Sequence, residues 1–280
     1  FSMNALANFI APNKPCTIYQ SGVLSEPEKL LCFSRNLFTL LKDKCQHAKP
    51  FVRSILDYGF VQNPQVFAGM LDYMLYHQGL VVSPELEILK KAYNLEFFVS
   101  IIEFSVYLFI GYNLNKNVTT IRYADWFITT NVLLITLSYL FLYNKYKEDK
   151  NTTALASDEY LKDHYFDTFT MIIVFNSLML VIGYAGESNI IPKDYGLIGG
   201  MIFFILSFYT IYINFVKNNF TNFLYLLVFI SIWILYAVAY LFNYKEKNIA
   251  YNLLDLVSKN LFGLFILYVI YDEKSKLKLG

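Results

Sequence analysis

The stretch Ile249 to Tyr271, IAYNLLDLVSKNLFGLFILYVIY, is apolar enough to cross a membrane and carries a lysine, Lys259, near its middle. Charge at mid-membrane depth is costly, so a chain that keeps it there generally uses it. Asp255 stands four positions earlier, which on a helix puts both side chains on one face. Two readings are open at this point. The pair is either a structural ion pair that helps helices pack, or an amine that forms a Schiff base with an aldehyde cofactor beside its counterion.

A second segment bears on the choice. Arg122-Tyr123-Ala124-Asp125-Trp126-Phe127-Ile128-Thr129-Thr130 opens another apolar span that runs to about Tyr143. Arg122, Asp125 and Thr129 are spaced three and four apart, so a cation, an anion and a hydroxyl share one helical face. Solvated helix-end charge accounts for Arg122 alone. It does not account for Asp125 followed by Thr129 deeper in the span, because an unpaired carboxylate there is expensive.

These two strings, RYADWFITT and DLVSK, resemble the third-helix signature and the retinal-attachment motif of the microbial (type 1) rhodopsins. The resemblance extends from about Ser83 to Tyr271 and is closest to the viral rhodopsins of algal giant viruses. It implies an all-α membrane protein, a seven-helix bundle around all-trans retinal bound covalently to Lys259. It also implies a photochemical transport protein and not an enzyme. By the same resemblance Asp125 and Asp255 are the counterions, Asp125 is the primary proton acceptor, Arg122 balances the pair, and Thr129 hydrogen-bonds Asp125. Trp126 and Trp233 sandwich the polyene, and Tyr236 bonds the second counterion. Met179 and Gly183 pack against the cofactor, with Thr130 and Asn176 at its side.

Departures from the family pattern limit what the resemblance implies. Asn131 and Ala237 stand where the family has helix prolines, so two kinks are expected to soften. The cytoplasmic proton-donor position falls on Thr136, a hydroxyl that cannot donate a proton at physiological pH. Lys247 occupies the place of an acidic proton-release group. Glu96 and Glu103 lie seven apart on one face of the preceding span. Glu96 reads as a solvated helix-start charge, whereas Glu103 is deeper and belongs with an ion pathway resembling that of channelrhodopsins.

The composition agrees with a membrane bundle. Hydrophobic residues make up 56% of the chain and charged residues 16%, too apolar for a soluble domain of this size. A net charge of +1 argues against nucleic acid as a partner. Cys16, Cys32 and Cys45 have no metal-ligand spacing and read as reduced thiols. No signal peptide is recognisable, so the spans themselves are expected to drive insertion.

Six spans are legible, near Tyr93–Leu114, Asp125–Tyr143, Tyr165–Ala185, Tyr195–Phe215, Asn219–Phe242 and Ile249–Tyr271. A polar loop is expected from Asn144 to His164. A short first helix is expected over Val66–Val82, interrupted by Asp72 and His77. Residues 1–65 alternate apolar and basic positions and suit an amphipathic helical extension. The bundle then spans residues 66–272, and residues 273–280 form a tail.

With the family's orientation, Lys90, Lys91, Lys145, Lys147, Lys150, Lys162, Lys217, Lys274, Lys276 and Lys278 gather on one side. The opposite loops hold Lys116, Lys193, Lys245 and Lys247. This bias places the C-terminus in the cytoplasm. The expected function is light-driven ion transport, with weak outward proton pumping ahead of a light-gated cation channel. A sensory photoreceptor signalling through a partner is the alternative from another class. Expected partners are the lipid bilayer, protons or small cations, and further copies in a trimer or pentamer.

Overall fold

The computed structural model describes residues 80–112, 118–148 and 152–279, all within one compact unit, Val61–Gly280. A 3₁₀ turn, Pro84–Leu86, leads into α1, Glu87–Tyr112, and α2 follows at Val118–Glu148. Another 3₁₀ turn, Thr152–Ala156, connects to α3, Asp158–Glu187. Helix α4, Lys193–Ile211, continues into a π-helical turn, Tyr212–Val216, and α5 covers Phe220–Tyr240. The last rod is α6, Tyr244–Asp255, a π-helical turn, Leu256–Asn260, and α7, Leu261–Leu279. No strand occurs among the described residues.

Helix ends run past the apolar stretches. The span expected from Tyr93 begins at Glu87, that from Asp125 begins at Val118, and that from Tyr165 begins at Asp158. Polar residues extend a helix readily once an apolar segment has nucleated it, because elongation adds one hydrogen bond per residue fixed. Local caps set the entries: the Ser157 side chain accepts from the Tyr160 N–H, and Asn219 accepts from the Asn222 N–H. The expected Asn144–His164 loop is corrected accordingly. It is mostly the end of α2, a 3₁₀ turn and the start of α3. Residues 273–279 are helical and continue α7.

Among the described residues, five rods are long and apolar enough to cross a membrane: Val118–Glu148, Asp158–Glu187, Lys193–Val216, Phe220–Tyr240 and Tyr244–Leu277. Helix α1 carries Glu96 and Glu103 within an otherwise apolar stretch, and both are buried, at 1% and 0% exposure. The expected first helix lies largely outside the described residues, and its last three positions, 80–82, are not helical. The amphipathic extension over residues 1–65 lies wholly outside them.

The helices α3 and α4 are among the most extensively packed pairs, as are α1 and α2. Gly186 and Gly196 let α3 and α4 touch backbone to backbone: a Cβ on Gly186 would sit 2.7 Å from the Gly196 Cα. The outward faces of α3, α4 and α5 are lined by exposed apolar side chains such as Phe166, Val181, Ile198, Ile205 and Val228. The polar side chains Arg122, Asp125, Asp255 and Lys259 are buried at 3% exposure or less. This inside-out distribution is what a lipid solvent selects.

Candidate functional site

Lys259 projects from the π-helical turn that joins α6 to α7. Such turns widen one helical coil and recur at functional sites. Its Nζ pairs with three carboxylates from three helices. Glu103 Oε1 of α1 is the closest, Asp255 Oδ1 lies at 3.3 Å, and Asp125 Oδ2 of α2 lies at 3.4 Å. One oxygen from each of the three falls within 4.8 Å of the others. All four side chains are at most 2% exposed, so the ammonium is desolvated and depends on these anions.

The two aspartates differ in how they are held. Asp255 Oδ1 accepts from Trp126 Nε1 at 3.0 Å and Tyr236 OH at 2.8 Å. Its Oδ2 accepts from the Tyr107 hydroxyl and from Arg122 at 3.2 Å. Arg122 also donates to Tyr107 OH at 2.8 Å and Asn252 Oδ1 at 2.8 Å. Its guanidinium lies 5.6 Å from the ring centres of Tyr107 and Tyr251 and 5.8 Å from that of Trp126. That arrangement suits a planar cation flanked by aromatic rings. Asp125 Oδ1, by contrast, has no hydrogen-bond partner among the described residues, nor does Glu103 Oε2.

The expected Thr129–Asp125 side-chain bond is not formed. Thr129 Oγ1 donates 3.0 Å to the Asp125 carbonyl, the usual destination of a threonine hydroxyl one turn along a helix. Thr130 does the same to the Trp126 carbonyl at 2.6 Å. Arg122 likewise pairs with Asp255, and no ion pair joins it to Asp125.

A cavity lined by Trp126, Thr130, Met179, Gly183, Trp233, Tyr236 and Lys259, with further apolar side chains around them, opens beside the lysine. It holds about 750 Å³ of unfilled space, counting its open side. A Cβ on Gly183 would lie 3.3 Å from the Tyr123 hydroxyl, so glycine keeps this wall clear. Asn176 stands behind the wall, donating to Thr130 Oγ1 at 2.8 Å and Asn131 Oδ1 at 2.9 Å. An apolar cavity between two tryptophans, ending at a buried amine, fits a polyene aldehyde such as retinal.

The ion-pathway residues divide. Glu96, Ser100, Glu103 and Tyr107 form one buried stripe along α1, each at 2% exposure or less. Glu96 is therefore not the solvated helix-start charge that the sequence suggests, because α1 begins more than two turns earlier, at Glu87. Thr136 is fully buried, and its hydroxyl has no hydrogen-bond partner among the described residues. The helices containing Asn131 and Ala237 run without interruption.

Three participants escape a reading of the sequence. Tyr107 joins Arg122 to Asp255, and its only signal is its place four residues after Glu103 on the polar stripe. Glu187 forms a buried ion pair with Lys247 at 2.7 Å and accepts from Tyr123 OH at 3.2 Å. Tyr251 flanks Arg122 from one turn before Asp255.

Comparison with known proteins agrees with this architecture. Residues 60–272 match the model of the family described as bacteriorhodopsin-like protein. A green-light absorbing proteorhodopsin from Gamma-proteobacterium EBAC31A08 is 28% identical over 176 residues, covering 56% of this chain and 63% of the relative. A blue-light absorbing proteorhodopsin from Gamma-proteobacterium Hot 75m4 is 26% identical with the same coverage. The chain thus spans less than two thirds of these curated relatives. Among solved structures, viral rhodopsin OLPVRII is 26% identical with a TM-score of 0.59, covering 75% of this chain and 99% of the other. A blue light-absorbing proteorhodopsin from Med12, 22% identical with a TM-score of 0.55, covers 76% and 93% and shares the fold. A family match over most of the chain, joined to a buried lysine among carboxylates beside an apolar cavity, makes this chain a member of the bacteriorhodopsin-like, or microbial rhodopsin, family.

Proposed function

We propose that this protein binds retinal covalently at Lys259 and uses light to move protons outward across a membrane, with Asp125 as the acceptor. One observation carries the reading: the Lys259 Nζ is buried among carboxylates, and Asp125 faces it while keeping a second oxygen without a partner. Retinal, all-trans in the dark, supplies the absorption of light and the isomerisation that drives the cycle.

The protein's own groups supply the rest. Asp255, held by Tyr107, Arg122, Trp126 and Tyr236, remains a fixed anion that orients the lysine nitrogen. Asp125 takes the proton from Nζ at Oδ2. Arg122, Asn252 and Asn248 continue the polar path toward the α6 end of the bundle. Trp126, Trp233, Tyr236 and Met179 confine the cofactor and keep water from the nitrogen. The lysine distribution supports a cytoplasmic C-terminus, hence outward transport. The partners are the bilayer and protons. Association into trimers or pentamers and a lack of nucleic-acid binding complete the proposal.

A light-gated cation channel is the second reading, favoured by the buried stripe Glu96, Ser100 and Glu103 along α1. Voltage-clamped photocurrents from cells supplied with retinal separate the two. A pump gives current of one sign without an ion gradient and shows no reversal as voltage is swept. A current that reverses with the cation gradient sinks the pump and leaves the channel.

A further inference from the structure

Around Lys259, three carboxylates face two cations. Glu103, Asp125 and Asp255 surround Nζ, and Arg122 adds its charge through Asp255. Asp255 receives hydrogen bonds or an ion pair from Tyr107, Arg122, Trp126, Tyr236 and Lys259, so it has every reason to stay ionised. Glu103 and Asp125 each touch Nζ through one oxygen and leave the other without a partner among the described residues. Two buried carboxylates this close do not both remain charged when the cations beside them are too few. One proton restores neutrality.

From this geometry we infer that Glu103 holds that proton at rest and is the internal donor that returns a proton to the Lys259 nitrogen. The inference rests on the proposed retinal photochemistry and assigns the step for which Thr136 is unfitted. In the first transfer the Lys259 N–H bond breaks and an O–H bond forms on Asp125. In the second the Glu103 O–H bond breaks, the N–H bond re-forms, and Glu103 is left as an anion. Ser100 and Glu96 continue the same buried face of α1 away from Tyr107. They provide the side from which Glu103 regains its proton. Lys259 and Asp255 face Glu103 from the last rod, Asp125 and Arg122 from α2, and Tyr107 from its own helix.

The test uses the full-length protein with retinal bound. Flash spectroscopy follows decay of the deprotonated state, and light-induced infrared difference spectra follow the carboxylic acid C=O stretch. The wild type is expected to decay at a rate nearly independent of pH and to lose one protonated-carboxyl band as it does so. In Glu103→Gln that band disappears, and decay slows about 10²-fold and becomes proportional to proton concentration. A wild-type band and decay left unchanged by Glu103→Gln overturn the assignment while proton transfer from Lys259 stands. If Glu103→Gln fails to take up retinal, Glu103→Asp keeps a carboxyl and must shift the band frequency; an unshifted band overturns the assignment equally. A wild type without visible absorption is a separate result that removes the retinal reading itself.

Discussion

Lys259 is surrounded by more negative charge than one ammonium needs, and this decides what its removal does. Lys259→Ala is expected to abolish the visible chromophore, since no other amine lines the cavity among the described residues. The alanine methyl suits an apolar interior, but Glu103, Asp125 and Asp255 lose the cation they share. Breaking a buried pair on one side costs about 3–5 kcal/mol, so the variant is expected to unfold at lower denaturant than the wild-type apoprotein. Adding Asp125→Asn should recover part of that loss, because Asp125 is a carboxylate left charged beside the missing amine, and equal stability of the single and double variants would refute the shared-charge account. Asp125→Asn acts differently, because Asp125 has few bonds to lose. Removing its charge destabilises the cation at the lysine nitrogen more in the ground state than in the delocalised excited state. Absorption should therefore move to longer wavelength, and transfer from Nζ should stop. An unshifted spectrum across neutral pH would exclude Asp125 as a counterion. At this scale the sequence was informative wherever chemistry follows from spacing: Asp255 and Lys259 four apart are in contact at 3.3 Å. It misdirected where a hydroxyl had two destinations, as with Thr129, whose choice of a backbone carbonyl only the folded helix displays.

The α3–α4 contact depends on glycine more strictly than any other helix pair with a described glycine at its crossing. A Cβ on Gly196 would stand 2.6 Å from the Gly186 Cα and 2.8 Å from the Tyr240 hydroxyl, and a backbone atom cannot swing aside. Gly196→Ala is thus expected to push the helices apart and cost about 1–3 kcal/mol, the usual penalty of overpacking. The measurement is the temperature at which the chromophore bleaches, and a value within a degree of wild type would show that the contact is slack. Thr136 gives the opposite expectation. Its buried hydroxyl has no partner among the described residues, so Thr136→Val should be neutral or stabilising by up to about 1 kcal/mol. A clear loss of thermal stability would reveal a bond to water or to another group. Apolar length identified all six rods among the described residues, since lipid selects for it. Helix ends were misjudged because polar residues prolong a helix at little cost. The burial of Glu96 was misjudged for the same reason, its helix having begun six residues earlier than apolarity indicates.

Across the whole molecule, polar contacts tie together helices that lipid alone would not hold in register, since acyl chains are as apolar as the helix surfaces. Glu273 of α7 accepts from Tyr143 of α2 at 2.9 Å and pairs with Lys147 at 2.5 Å. Lys91 of α1 reaches Asp158 of α3, also at 2.5 Å. Beyond Arg122, the Glu187–Lys247 pair joins the end of α3 to the start of α6, with side chains 3% and 10% exposed. None of these partners was legible in the sequence, because each pair is set by which helices become neighbours and not by local spacing. The Glu187–Lys247 pair gives the clearest test of the principle. Glu187→Gln leaves Lys247 buried opposite a neutral amide, while Lys247→Met leaves Glu187 with the weaker donors Thr119, Tyr123 and Tyr251. Each single change is expected to lower stability, since a buried charge without its partner costs more than the intact pair returns. Glu187→Gln with Lys247→Met removes both charges, and the amide oxygen can still accept from Tyr123. The double variant should therefore lie well above the sum of the two losses, by about 0.5–3 kcal/mol, the range of coupling between residues in direct contact. Unfolding of the four proteins in the same detergent measures this difference. Strictly additive losses would mean that solvent already screens the pair and that the α3–α6 junction is held by packing alone.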